Sequence, residues 1–132
     1  MNLLFVCSEN RLRCPTAERV FSEYPGVKAI GAGTNADAAT PVSGDLIEWA
    51  DIVLVMEKSH RNKVATKFRD QLKSKRLVVL DIPDEFEYMQ PELVSLLKAR
   101  VGRHACAAAK VANRLVGGNV VSRFYFWILK KA

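Results

Sequence analysis

Nothing in the chain approaches the ~20 consecutive apolar residues that span a bilayer, and its start lacks the basic, apolar and small-residue succession of a signal peptide. Both absences point to a cytoplasmic protein. Cysteine is scarce and odd in number: Cys7, Cys14 and Cys106, irregularly spaced. That excludes a disulfide framework and suits a reducing compartment. The two histidines, His60 and His104, are far apart, so no metal-ligand pattern arises and no cofactor is called for. Acid is missing from the end of the chain. All 14 Asp+Glu lie at or before Glu92, and residues 1–101 balance them with 14 Lys+Arg. Residues 102–132 hold six further Lys+Arg and no acid, so the net charge of +6 belongs to the tail. It is no sign that the whole chain binds nucleic acid.

What is present suits one domain with a substantial core, 132 residues of which 49% are hydrophobic. The run "LLFVC" (3–7) reads as a strand buried on both faces. Pro15 fits the first position of a helix with Ala17, Val20, Phe21 and Tyr24 on one stripe. "VKAI" (27–30) is a short strand, and Thr40-Pro41 reads as the cap and first turn of a second helix reaching Ala50. "DIVLVM" (51–56) is a third strand, Ser59 to Leu72 a helix with a heavily basic outer face, and "LVVL" (77–80) a fourth strand. The acidic loop "DIPDEFEY" (81–88) then leads to a helix starting near Pro91. Strands alternating with helices imply right-handed crossovers, hence a three-layer α/β domain with about four parallel strands. The organisation expected is an α/β domain over 1–101 and a basic C-terminal extension over 102–132, packed on the domain or following it. Within that extension "NVVSRFYFWIL" (119–129) has strand-like content and suits a fifth strand or a segment across the sheet edge.

The chemistry concentrates in "VCSENRLRCPTAE" (6–18), between the first strand and the first helix. Ligands of open parallel sheets bind beyond the carboxyl ends of the strands. A loop folded over a helix N-terminus there makes a nest of N–H donors for an anion. Such a nest favours a thiolate as well as a phosphate, which makes Cys7 a nucleophile. Arg13, six positions on, brings a planar fork to two phosphoryl oxygens. Taken singly these residues are ordinary: a small buried thiol, a surface cation, a loop asparagine. Together in one strand–loop–helix they specify much more.

These residues resemble the opening of the low-molecular-weight protein tyrosine phosphatases, whose signature is Cys-x5-Arg-Ser-Pro with an Asn three after the Cys. Three further segments resemble that family in order: "GAGT" (31–34), "ADIVLVMEKSHRNKV" (50–64) and "DIPDEFEY" (81–88). The resemblance covers roughly residues 2–101. It implies a flavodoxin-like sheet and hydrolysis of a phosphomonoester, phosphotyrosine on a protein or a small phosphoester, through a phosphocysteine. It also implies roles: Cys7 as nucleophile, Arg13 as phosphate clamp and Asn10 as the residue holding the loop's backbone. Ser8, Glu9, Asn10, Arg11 and Leu12 contribute N–H donors up to Arg13 and Cys14. Asp84, after Pro83, is the general acid and base, with Asp81 as its competitor. Phe86 and Tyr88 either wall an aromatic substrate or pack under the loop.

Three positions depart from the signature. Cys14 replaces the serine that caps the helix and bonds the thiolate, and a thiol does both poorly. A slower nucleophile is expected. Cys14 is alternatively a redox partner for Cys7. Glu9 stands where glycine is usual, and the loop after "GAGT" lacks the aromatic often set against the substrate ring. Two other readings compete: a non-catalytic phosphate-binding or interaction module, and a thiol-dependent arsenate reductase, which needs relay thiols that residues 15–105 do not supply.

Overall fold

The structure, a computed structural model, describes residues 1–9 and 12–102. Four strands form one parallel sheet: β1 (Asn2–Cys7), β2 (Lys28–Gly33), β3 (Ile52–Val55) and β4 (Arg76–Val79), in the order β2-β1-β3-β4. This is the flavodoxin-like arrangement expected. The tail from residue 103 onward, with its strand-like stretch 119–129, His104 and Cys106, lies outside the described residues, as do Asn10 and Arg11.

Strand alternation sorts the core into two faces. Leu3, Phe5 and Cys7 of β1, with Ile52 and Leu54 of β3, face helix α1 (Arg13–Ser22) and the helix α5 over 91–102. Leu4 and Val6, with Val53 and Val55, face α2 (Gly44–Trp49), α3 (Lys58–Lys67) and α4 (Arg69–Leu72). Both faces of β1 and β3 are covered, which is why these strands read as continuous apolar runs. Cys7 therefore ends its strand on the α1 side.

Three local readings are corrected. Pro15 is the third residue of α1, not the first, because the helix already begins at Arg13. Cys14 accordingly lies inside the first turn, and the cap is Leu12, whose side chain makes no capping bond. Pro15 still suits its place, since the first-turn N–H groups have no intrahelical partner. The second helix starts at Gly44, capped by Ser43 Oγ accepting from Leu46 N–H at 3.3 Å. Thr40 and Val42 instead bond Gly33 along the sheet edge, at 2.8 and 2.9 Å, so the Thr40-Pro41 pair extends β2's neighbourhood rather than opening a helix. The third helix breaks at Phe68, whose backbone (φ −122, ψ 39) leaves the helical region and divides α3 from α4.

Candidate active site

β1 lies at the centre of the topology, with β2 on one side and β3 on the other. The crevice beyond the carboxyl ends of β1 and β3 is thus the switch point where such sheets take ligands. The loop after Cys7 starts there and is pinned from β2's side. Thr34 N–H donates to Cys7 O at 2.8 Å and Asn35 N–H to Ser8 O at 3.0 Å. Gly33 makes this approach feasible. A Cβ on it would lie 2.6 Å from Ser8 O and 2.5 Å from Ala38 Cβ, so the "GAGT" glycine is required by the backbone behind the loop.

At the other end of the loop, Arg13 is only 4% exposed. Its Nη1 donates to Glu57 Oε1 at 2.5 Å and to the Ile82 carbonyl at 2.8 Å. Its Nε lies 3.7 Å from Asp84 Oδ1. Arg13, which taken singly would be a surface cation, is buried because α3's start and the acidic loop close over it. Its guanidinium joins three elements: the first turn of α1, the cap of α3 and the loop after β4.

The acidic loop is held over this point from several directions. Leu80 N–H and Ile82 N–H continue the bonding to β3, at 2.9 Å each. Arg100 of α5 donates to the carbonyls of Leu80 and Asp81. Met89 N–H donates to Thr16 Oγ1 at 2.9 Å, tying the loop's end to α1. Asp84, 65% exposed at its side chain, is the loop carboxylate that pairs with Arg13. Asp81 adopts a left-handed backbone (φ 54) and lines an open hollow of about 400 Å³ with Glu57, Lys58, Ser59 and Pro83. Phe86 packs against the core beneath the loop, while Tyr88 stands half exposed. Glu9 is exposed.

Cys14 is fully buried in contact with Cys7. Burial first, and then the neighbouring Cys7 sulfur, push its thiol well above the ordinary range; Arg13 and the Ala32 backbone pull weakly the other way. Cys14 is therefore a neutral S–H beside Cys7, able to donate only weakly to a thiolate.

Two residues of the site were given no role by sequence reasoning. Glu57 holds Arg13. His60, 2% exposed, accepts from Glu57 N–H at Nδ1 (3.1 Å) and meets Ser8 Oγ at Nε2 (2.9 Å). An accepting Nδ1 puts the ring proton on Nε2, so His60 donates to Ser8. Burial, followed by Arg13, lowers the tendency of His60 to take a second proton. The ring is a neutral strut between α3's cap and the residue after Cys7. The available signal was the Glu57-x-x-His60 spacing, a reciprocal capping pattern at a helix start. Among the described residues no group of three potential metal ligands occurs, and no helix is long and apolar enough to cross a membrane.

No family model and no curated protein matches the chain. Solved structures do. The tyrosine phosphatase Wzb from Escherichia coli K30, determined with phosphate, superposes with a TM-score of 0.63 at 20% identity, covering 77% of this chain and 94% of its own. A low molecular weight protein tyrosine phosphatase from Bacillus subtilis gives 0.62 at 23% identity, covering 78% and 95%. The YwlE arginine phosphatase from Geobacillus stearothermophilus gives 0.61 at 22%, covering 76% and 89%. The fold is the one these low-molecular-weight phosphatases share.

Proposed function

We propose that the protein is a phosphomonoester hydrolase acting on phosphotyrosine in proteins through a phosphocysteine on Cys7. The observation that carries this reading is the meeting of Arg13 with Asp84, at 3.7 Å, where β1 ends in Cys7. A cation for the phosphoryl oxygens, a carboxyl for the leaving group and a sulfur nucleophile then belong to one crevice.

In this reading the Cys7 sulfur attacks phosphorus, forming an S–P bond as the P–O bond to the leaving group breaks. Asp84 gives its proton to the departing oxygen. Water then attacks phosphorus, Asp84 takes its proton, and the S–P bond breaks to release phosphate and the thiolate. In this reading backbone N–H groups of the loop from Ser8 to Cys14 donate to the transferring group and stabilise it. Arg13 Nη1 is committed to Glu57 and Ile82, so in this reading the phosphate takes the Nε–Nη2 edge, beside Asp84. Asp84 rather than Asp81 takes the acid role because, of the two loop carboxylates, it is the one that pairs with Arg13. The loop's resemblance to the tyrosine phosphatase signature and the likeness to two tyrosine phosphatases favour phosphotyrosine; the likeness to an arginine phosphatase makes phosphoarginine the second substrate to assay.

Turnover of p-nitrophenyl phosphate at pH 5–7 tests the reading. The parent hydrolyses it and Cys7→Ser loses at least about 10³-fold, the scale set by removing an essential nucleophile. Equal rates for the two proteins would contradict the mechanism, and no turnover by either would leave the non-catalytic module standing.

A further inference from the structure

The charge of the domain is divided. Positions 58–76 hold eight Lys+Arg and one acid, Asp70, while the rest of residues 1–102 holds six Lys+Arg and thirteen acids. Positions 58–76, from α3 to the first residue of β4, thus carry a surplus of seven positive charges, and the rest of the domain a surplus of seven negative ones. α3 turns His60 and Val64 inward, and Phe68 packs below them. Lys58, Arg61, Lys63 and Lys67 are exposed, and none of the ion pairs among the described residues involves them.

This basic helix departs from the site itself. Its cap, Glu57, holds Arg13, and its first residue, Lys58, lines the hollow beside the acidic loop. Lys63 and Lys67 flank a smaller hollow against Thr34 and Asn35, the residues that pin the loop after Cys7. The acidic loop, which reaches Arg13 through Asp84 and the Ile82 carbonyl, carries Asp81, Asp84, Glu85 and Glu87, all exposed. A ligand seated at Arg13 therefore meets cations from α3 and carboxylates from the acidic loop. Complementary potentials of this kind raise encounter rates and fix orientation. A uniformly anionic polymer or surface would gain from the cations and be repelled by the carboxylates.

We propose that the exposed basic surface of α3 docks the acidic flank of a phosphorylated polypeptide whose opposite flank is basic. The inference rests on the phosphatase reading and names its substrate class. Four phosphotyrosine peptides test it: acidic-then-basic, basic-then-acidic, acidic on both sides, and neutral. Rates are referred to p-nitrophenyl phosphate turnover by the same protein. One of the two bipolar peptides exceeds the neutral and doubly acidic peptides in kcat/KM by about tenfold. That advantage disappears in an Arg61→Glu/Lys67→Glu variant and in high salt, which screens exposed charges. The same ranking appears when binding to the Cys7→Ser protein is measured by fluorescence anisotropy. Equal values for all four peptides alongside normal p-nitrophenyl phosphate turnover would overturn the docking surface and leave the chemistry intact. Binding of a single-stranded RNA or phosphatidylserine vesicles through Arg61 and Lys67, with no peptide preference, would also overturn it. Absence of Cys7-dependent turnover, by contrast, would remove the phosphatase reading beneath it.

Discussion

Cys7, Arg13 and Asp84 stand out in the sequence because their types and spacing carry chemistry. Glu57 and His60 do not, because their partners lie 44 and 52 positions away, at Arg13 and Ser8. Only the fold brings them together. His60 offers a direct check at this scale. Its ring is held neutral, with its protonation disfavoured by burial and by Arg13. An unfolded histidine takes its proton near pH 6.5, so below that pH the unfolded chain binds a proton that the folded chain resists. Stability contributed by neutral His60 is complete above about pH 6.5 and declines as the pH falls below it. Melting temperatures measured from pH 8 to pH 5 should fall more steeply for the parent than for His60→Asn, which keeps an acceptor and a donor but does not titrate. Parallel curves would contradict the assignment. His60→Ala, which leaves Glu57 N–H and Ser8 Oγ without their partner, should cost about 1–3 kcal/mol at pH 7.5.

At the scale of elements, the first turn of α1 is where sequence and structure part most instructively. The Cys7–Arg13 stretch and the helix behind it were legible from "CSENRLRCP", as were β1 and β3, since continuous apolar runs mark strands covered on both faces; β2, an edge strand, runs past the expected Ile30 to Gly33. The helix starts were not. α1 begins before its proline because Arg13 is drawn inward by Glu57 and Ile82, contacts that no local pattern encodes. The second helix starts late because Gly33 captures Thr40 and Val42 at the sheet edge. Cys14, placed by this geometry in the first turn and against Cys7 rather than at a cap, is the element's weak point. A serine hydroxyl there would donate to the Cys7 thiolate more strongly than a buried S–H does. Cys14→Ser should raise kcat/KM for p-nitrophenyl phosphate at pH 6 by about fivefold, the kinetic equivalent of one hydrogen bond of about 1 kcal/mol. An unchanged or lower rate would show that the thiol is not limiting.

For the whole molecule, the order β2-β1-β3-β4 does the assembling. It sets the end of β1 beside the end of β3, so the loop after Cys7 meets Glu57 at the start of α3. It also lets the segment after β4 fold back across both, bringing Asp84 to Arg13. The same topology brings Lys58 of the basic α3 and Asp81 of the acidic loop to one hollow beside the crevice. Fold, site and charge distribution thus share one origin, and the proposed chemistry requires phosphate to pass through sulfur at their meeting point. Rapid acid quench of the protein mixed with p-nitrophenyl phosphate, followed by intact-mass measurement and peptide mapping, tests this most directly. A single phosphoryl adduct on Cys7, transient in the parent, more persistent in Asp84→Ala and absent from Cys7→Ser, is the expected result. Steady turnover with no adduct on Cys7, or turnover that survives Cys7→Ser, would contradict it.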